Sequence, residues 1–183
     1  MGVSREQQLD ELIAKQALTE LIYDYCRACD RMDQEFLESL YHADAYDDHG
    51  HFGSGPVQNF LSFTAEHDWR KPFGIVQHNI TNVRLKVAGN YAEGESYVHA
   101  FHVIESPEGP YDVIFLGRYL DKFEKRSGVW KFKHRRPVVD MCYRIAPSPM
   151  SLQVPMLDGF HVGRNSPEDP SYPFFTLFKR GRA

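Results

Sequence analysis

From Ser4 to about Cys29, apolar residues recur three and four positions apart: Leu9, Leu12/Ile13, Ala17/Leu18, Leu21/Ile22, Tyr25/Cys26 and Cys29. This is the period of a helix with one buried face, and it predicts a long amphipathic helix. Asp33 stands where an N-cap belongs, and Met32 is placed to touch Leu37 across it. Gln34 to about Tyr41 is therefore predicted as a second helix entered through a tight corner. A short extended piece, Ala45 to His49, runs into Gly53-Ser54-Gly55-Pro56, which breaks the chain before a third predicted helix from Val57 to about Asp68.

The period then changes. Ile75–Val87, Tyr91–Ile104, Tyr111–Lys125 and Val129–Tyr143 are rich in Val, Ile, Tyr and Phe and alternate in part at period two, the mark of half-buried strands. Gly89-Asn90, Pro107 to Pro110 and Arg126-Ser127-Gly128 separate them as turns. Helices followed by an antiparallel meander predict an α+β fold, with helices on one face of a curved sheet. Residues 1–143 are expected to form this domain, and residues 144–183, with six prolines and no period, an extension packed on the domain or on a neighbouring subunit.

Composition narrows the function classes. A chain of 183 residues, 42% hydrophobic and 14% aromatic, can bury one sizeable core. Twenty-one basic against twenty-five acidic side chains give a net charge of -4 spread along the sequence, which offers no groove for nucleic acid and no basic surface for a membrane. No apolar stretch approaches the ~20 residues of a membrane span, and the polar N-terminus lacks the apolar run of a signal peptide, so a cytoplasmic location is expected. That location leaves the Asn79-Ile80-Thr81 glycosylation sequon without a role. Cys26, Cys29 and Cys142 make no disulfide framework or metal knuckle and are expected to be small buried hydrophobes. Asp47, His49 and His51, with His42 nearby, are spaced too loosely to argue for a metal site.

Two residues carry the candidate chemistry. Asp30 lies four residues after Cys26 and eight after Ile22, so it continues the buried helix face, where an unpaired carboxylate is costly. It needs a partner: Arg27, Arg31, the following turn, or a side chain from elsewhere. His78 alternates with Val76 and Ile80 and shares their face. Alone it reads as a satisfied core histidine; held by a carboxylate, it is a device for moving protons near neutral pH.

The helices-then-sheet order resembles the SnoaL-like branch of the nuclear-transport-factor-2-like superfamily. The strings that carry the likeness are Tyr23 to Asp30, Asp44 to Gly50, Gln77 to Asn82 and Gly128 to Phe132. It spans about Gln7 to Met141, and the layout is similar to scytalone dehydratase, bile-acid dehydratase and hexachlorocyclohexane dehydrochlorinase. The resemblance implies a cone-shaped α+β barrel around a deep pocket, usually without metal or organic cofactor, and elimination by an Asp–His pair. That pair carries over to Asp30 and His78, and an active-site Tyr to Tyr25. His49 and Cys29 fall where scytalone dehydratase has two Tyr residues, and His102 near its second His. A homodimer or homotrimer is implied as well.

The expected catalytic set is Asp30, His78, Tyr25, His49 and His102, with Cys29, Phe101, Arg118, Arg136 and Met141 as substrate contacts. His99 and His102 have opposite parity, so a regular strand turns only one of them to the pocket. Arg136 shares parity with Trp130 and Phe132, but Pro137 signals a bulge that can flip it. The expected activity is cofactor-independent elimination of water from a mid-sized hydroxylated aromatic or polycyclic substrate. Retro-aldol C–C cleavage, for example with release of formaldehyde, and isomerisation use the same parts. A non-catalytic ligand-binding protein, or one like an oxygenase small subunit, is the alternative of another class.

Overall fold

The structure, a computed structural model, describes residues 4–66, 73–146 and 155–181. Helix α1 spans Arg5–Asp30 and opens with a capping box in which Ser4 and Gln7 satisfy each other's backbone N–H groups. Its buried face runs through Leu18, Leu21, Ile22, Tyr25, Cys26 and Cys29 to Asp30. At the corner Met32 takes the left-handed conformation, φ 48°, unusual for a residue with a side chain. Asp33 then caps α2, Gln34–Ser39, by accepting from the Phe36 N–H at 3.3 Å. The second helix stops two residues before its expected end because Tyr41 already begins strand β1, Tyr41–Asp48, which is longer than the extended piece predicted there.

A 3-10 turn at Gly50–Phe52 and the short strand β2, Ser54–Pro56, lead into α3, Val57–Glu66; its predicted end at Asp68 lies outside the described residues. Four long strands follow: β3, Phe73–Ala88; β4, Tyr91–Ile104; β5, Tyr111–Arg126; and β6, Val129–Ile145. The sheet order is β2-β1-β6-β5-β4-β3, and β3 to β6 form the expected antiparallel meander. One pairing departs from it: β1 runs parallel to β6. Together the elements make a mixed α+β fold whose curved six-stranded sheet carries α1 and α3 on its inner face, in keeping with the nuclear-transport-factor-2-like cone.

Bulges bend the long strands and reset their faces. On β6, Phe132 faces Phe123 while His134 faces Lys122, so Lys133 is an extra residue and parity switches there. One bulge therefore comes before Pro137 and a second, at Asp140, after it; the first brings Arg135, not Arg136, into the core. Arg135 is 0% exposed, and its Nε and Nη2 donate to the two oxygens of buried Asp121, each at 2.8 Å. Its guanidinium lies 3.9, 4.1 and 4.2 Å from the ring centres of Tyr25, Tyr119 and Phe132. Burial pushes the Asp121 carboxyl upward against the pull of that guanidinium.

Residues 155–181 return to the α1–α2 corner. Arg180 donates to the carbonyls of Arg31 and Met32 at 3.1 and 2.6 Å, and the Gly181 N–H donates to Asp33 at 2.8 Å. Arg27 stacks over Tyr172 and Phe178. Residues 147–154, Met150 among them, lie outside the described residues. Cys26 and Cys29 are buried as expected, but Cys142 is exposed: β6 from Val139 onward projects beyond the packed layers.

The buried ion pair is expected to be worth more when broken than when replaced. Asp121→Ala should cost about 3–5 kcal/mol, because it strands a guanidinium in the core, whereas Asp121→Leu with Arg135→Met should recover most of that. Chemical denaturation measures both; a single-variant loss below about 1 kcal/mol would mean that the pair does not anchor β5 to β6.

Candidate active site

Asp30 ends α1 where the helix crosses β3, the edge strand of the sheet. Its two oxygens each accept from the backbone N–H of His78 at 3.1 Å, and Oδ1 also accepts from His78 Nδ1–H at 2.7 Å. An ionised carboxylate offers no proton, so this contact fixes the imidazole proton on Nδ1 and leaves Nε2 to the cavity. Two residues back, Val76 also turns its N–H to the open edge. Asn165 accepts that N–H at 2.7 Å and donates to the Asp30 carbonyl at 3.3 Å once its side-chain amide is oriented to suit both. The helix end and the strand edge are thus joined from both sides.

The cavity beside this pair has a volume of about 380 Å³. His78, His102, Tyr25, Cys29 and His49 contribute to its wall, and Phe52, Phe60, Val76, Ile104, Tyr111, Val113 and Phe115 make most of the remainder. A second lobe of about 330 Å³ shares His49, Phe52, His78, His102 and Phe115, and reaches Arg118 and the Pro137–Val139 stretch of β6. The space is apolar and aromatic, with a few convergent polar groups, the usual make-up of a small-molecule site.

His102, not His99, faces the cavity, as alternation on β4 requires with Val98 and Ala100 buried. Its ring meets His78 edge-on at 5.8 Å and Phe115 at 5.2 Å. Burial first, and then the neighbouring His78, lower its pKa from the usual 6.5 to about 4. On the β1 side, His49 follows the strand end. Its Nδ1–H donates to Asp47, its Nε2 lies 3.1 Å from the Tyr25 hydroxyl oxygen, and its ring stacks on Phe60 at 4.3 Å. Burial pushes the Tyr25 phenol well above its ordinary pKa and the Cys29 thiol upward too.

All five expected catalytic side chains therefore meet at one cavity, and Cys29 joins them. Arg118 borders the second lobe, but its side chain, paired across from Tyr97, turns to the outer face, where it bonds Asp140 through two hydrogen bonds of 2.8 Å and Glu95 at 3.2 Å. Three other expected substrate contacts do not line the cavity. Phe101 alternates with Ala100 and His102 and so points to the outer face. Met141 is paired with Leu116, one residue off the cavity-lining Phe115, and is exposed on that same outer face. Arg136, turned outward by the Lys133 bulge, is exposed and bonds Asp48 at 2.9 Å.

Sequence reasoning misses Asp121 and Asn165 altogether and gives neither Asp47 nor Arg135 a secure role in the site. Asp47, which its spacing places in a loose polar cluster with His49 and His51, is fully buried between Tyr41 and His49, while His51 is exposed. Among the described residues, no helix is long and apolar enough to cross a membrane.

A curved sheet closed by helices over an apolar cavity with inward-facing ionisable groups defines the class of cone-shaped α+β proteins described above. Residues 10–136 match the model of the SnoaL-like domain, and the chain belongs to that family. Three solved structures illustrate the likeness. LinA is 26% identical, with 81% of this chain and 99% of LinA covered at a TM-score of 0.67. A type-3 LinA, a hexachlorocyclohexane dehydrochlorinase from Novosphingobium barchaimii, is 24% identical over 79% of this chain and 98% of its own, at 0.68. A scytalone-dehydratase-like protein from Novosphingobium aromaticivorans is 23% identical over 76% and 96%, at 0.64. No match was found among curated proteins.

The His102 shift gives a signed expectation. Between about pH 4 and 6.5 the unfolded chain binds a proton that the folded state refuses, so this group's contribution to stability falls as pH falls through that window. Relative to a His102→Asn variant, the wild type should lose about 2 kcal/mol of unfolding free energy between pH 7 and pH 5. Parallel stability curves for the two proteins would show that His102 is not held neutral.

Proposed function

We propose that the chain is a cofactor-independent lyase that eliminates water, or a similarly small group, from a mid-sized hydroxylated aromatic or polycyclic compound. The observation that carries this reading is the Asp30–His78 pair: a buried carboxylate fixes the tautomer of an imidazole whose other nitrogen is turned to an apolar cavity. His78 Nε2 is the base that takes a proton from carbon, and Asp30 stabilises the imidazolium that forms. The aromatic wall selects an apolar body and keeps water from the charge that develops beside a substrate carbonyl, the group that makes the proton on the neighbouring carbon acidic enough to remove. Tyr25, His49 and His102 are the candidate donors to the departing oxygen, and Cys29 contacts substrate.

The dehydratase and dehydrochlorinase among the structural neighbours support elimination as the reaction class. Assembly as a homodimer or homotrimer goes with this reading, since Tyr97, Phe101, Met141 and Tyr143 leave the outer sheet face apolar and exposed. The partners expected are a small apolar substrate and further copies of the chain.

Turnover of a panel of hydroxylated aromatic, steroid and polyketide-like compounds, read by mass change, is the test. Loss of water is expected, and His78→Ala and Asp30→Asn should each slow it roughly a hundred- to ten-thousand-fold with thermal unfolding little changed. Turnover that survives both substitutions would overturn the assigned base. Tight binding without turnover would instead mark a ligand-binding protein.

A further inference from the structure

The wall across from His78 holds a second carboxylate–imidazole unit. Asp47, with 0% exposure, accepts the Tyr41 hydroxyl at 2.8 Å on one oxygen and His49 Nδ1–H on the other. The Tyr41 bond and the Phe60 stack leave His49 little freedom to turn, and its Nε2 is directed at the Tyr25 oxygen, 3.1 Å away. This unit comes from the end of β1, His78 from β3, and the two strands lie towards opposite edges of the sheet. Both reach the same cavity.

We infer that Asp47, His49 and Tyr25 form a proton relay that supplies the acid of the reaction, with Asp47 as its positioning residue, and that the group expelled is therefore an oxygen rather than a halide. The inference rests on the lyase reading above. A halide leaves as a stable anion, but hydroxide does not leave a carbon near neutral pH without a proton. A buried phenol is by itself a poor donor, because burial makes the phenolate costly. A relay avoids a lasting phenolate.

His78 Nε2 takes the proton from the carbon beside the carbonyl, and the C–H electron pair becomes the new double bond. The C–O bond breaks with its pair going to oxygen. That oxygen takes the Tyr25 proton and leaves as water, while His49 Nε2 passes its own proton to the Tyr25 oxygen. The proton held by His78 returns to His49 through solvent after product leaves. The relay requires a proton on both His49 nitrogens at the start of each turnover, with the Asp47 carboxylate as the counter-charge of that ring. The Arg135 guanidinium, 3.9 Å from the Tyr25 ring, favours the negative charge that the phenol oxygen gains as its proton leaves.

Two measurements test this. The first is imidazole nitrogen NMR of the wild-type protein, which needs no substrate. Protons on both His49 nitrogens are expected, with the Nδ1–H signal lost in Asp47→Asn; an unprotonated Nε2 accepting from Tyr25 would overturn the relay. The second uses the benzaldehyde–acetone aldol, a β-hydroxy ketone, beside its O-acetyl ester, whose acetate leaves without a proton. Tyr25→Phe and Asp47→Asn should lower kcat on the aldol roughly 100-fold with KM within about threefold, and on the ester only a few-fold. Equal losses on both compounds would reduce the unit to a structural one while leaving the lyase reading intact. Failure of that reading has a different signature: neither compound turned over in a His78-dependent way.

Discussion

The Asp30–His78 contact is the interaction on which the geometry of the site depends, because one carboxylate settles two problems at once. Strand β3 is an edge strand, and an edge leaves alternate backbone N–H groups without a partner in the sheet. Asp30 takes the His78 N–H and the His78 ring together, so the same oxygens that close the sheet edge also orient the imidazole. Moving the carboxylate would free both. Its position is held from behind by the tail: Asn165 bridges the Asp30 carbonyl and the Val76 N–H, and Arg180 grips the carbonyls of the strained corner at Arg31 and Met32.

Beside the cavity, a second constraint is electrostatic. Arg135 and Asp121 are charged side chains in the core, a costly arrangement unless paired in good geometry and enclosed by groups that favour the charge. The two parallel hydrogen bonds and the three aromatic faces around the guanidinium meet that condition. One of those faces is Tyr25, so the pair that stabilises the core also sets the electrostatic environment of a cavity residue. Core packing and site chemistry meet in one side chain.

The aromatic lining and the polar groups divide the work. Phe52, Phe60 and Phe115 give the cavity an apolar lining, and a low-polarity surrounding strengthens charge interactions inside it. Polar atoms enter from three directions: His78 and His102 from adjacent strands β3 and β4, Tyr25 from α1, and His49 from the end of β1. Rigid elements rather than long loops supply nearly all of them, which fixes their mutual geometry.

Features set by local pattern were legible along the chain. Periods of 3.6 and 2 marked α1 and the four long strands, Asp33 marked the corner cap, and parity placed Asp30 on the buried helix face and chose between His99 and His102 once the pocket side was known. The family strings brought Asp30 and His78 together in advance, which spacing alone left among several options. Only the tertiary structure decided what depends on register between distant segments. The Lys133 bulge exchanged Arg136 for Arg135, the parallel β1–β6 pairing lengthened β1, and packing turned Asp47 from a loop carboxylate into a buried partner of His49. A single inserted residue moves every later side chain to the other face of a strand at little local cost, so the sequence around it carries almost no signal; the choice is made by which face finds a partner when the sheet closes.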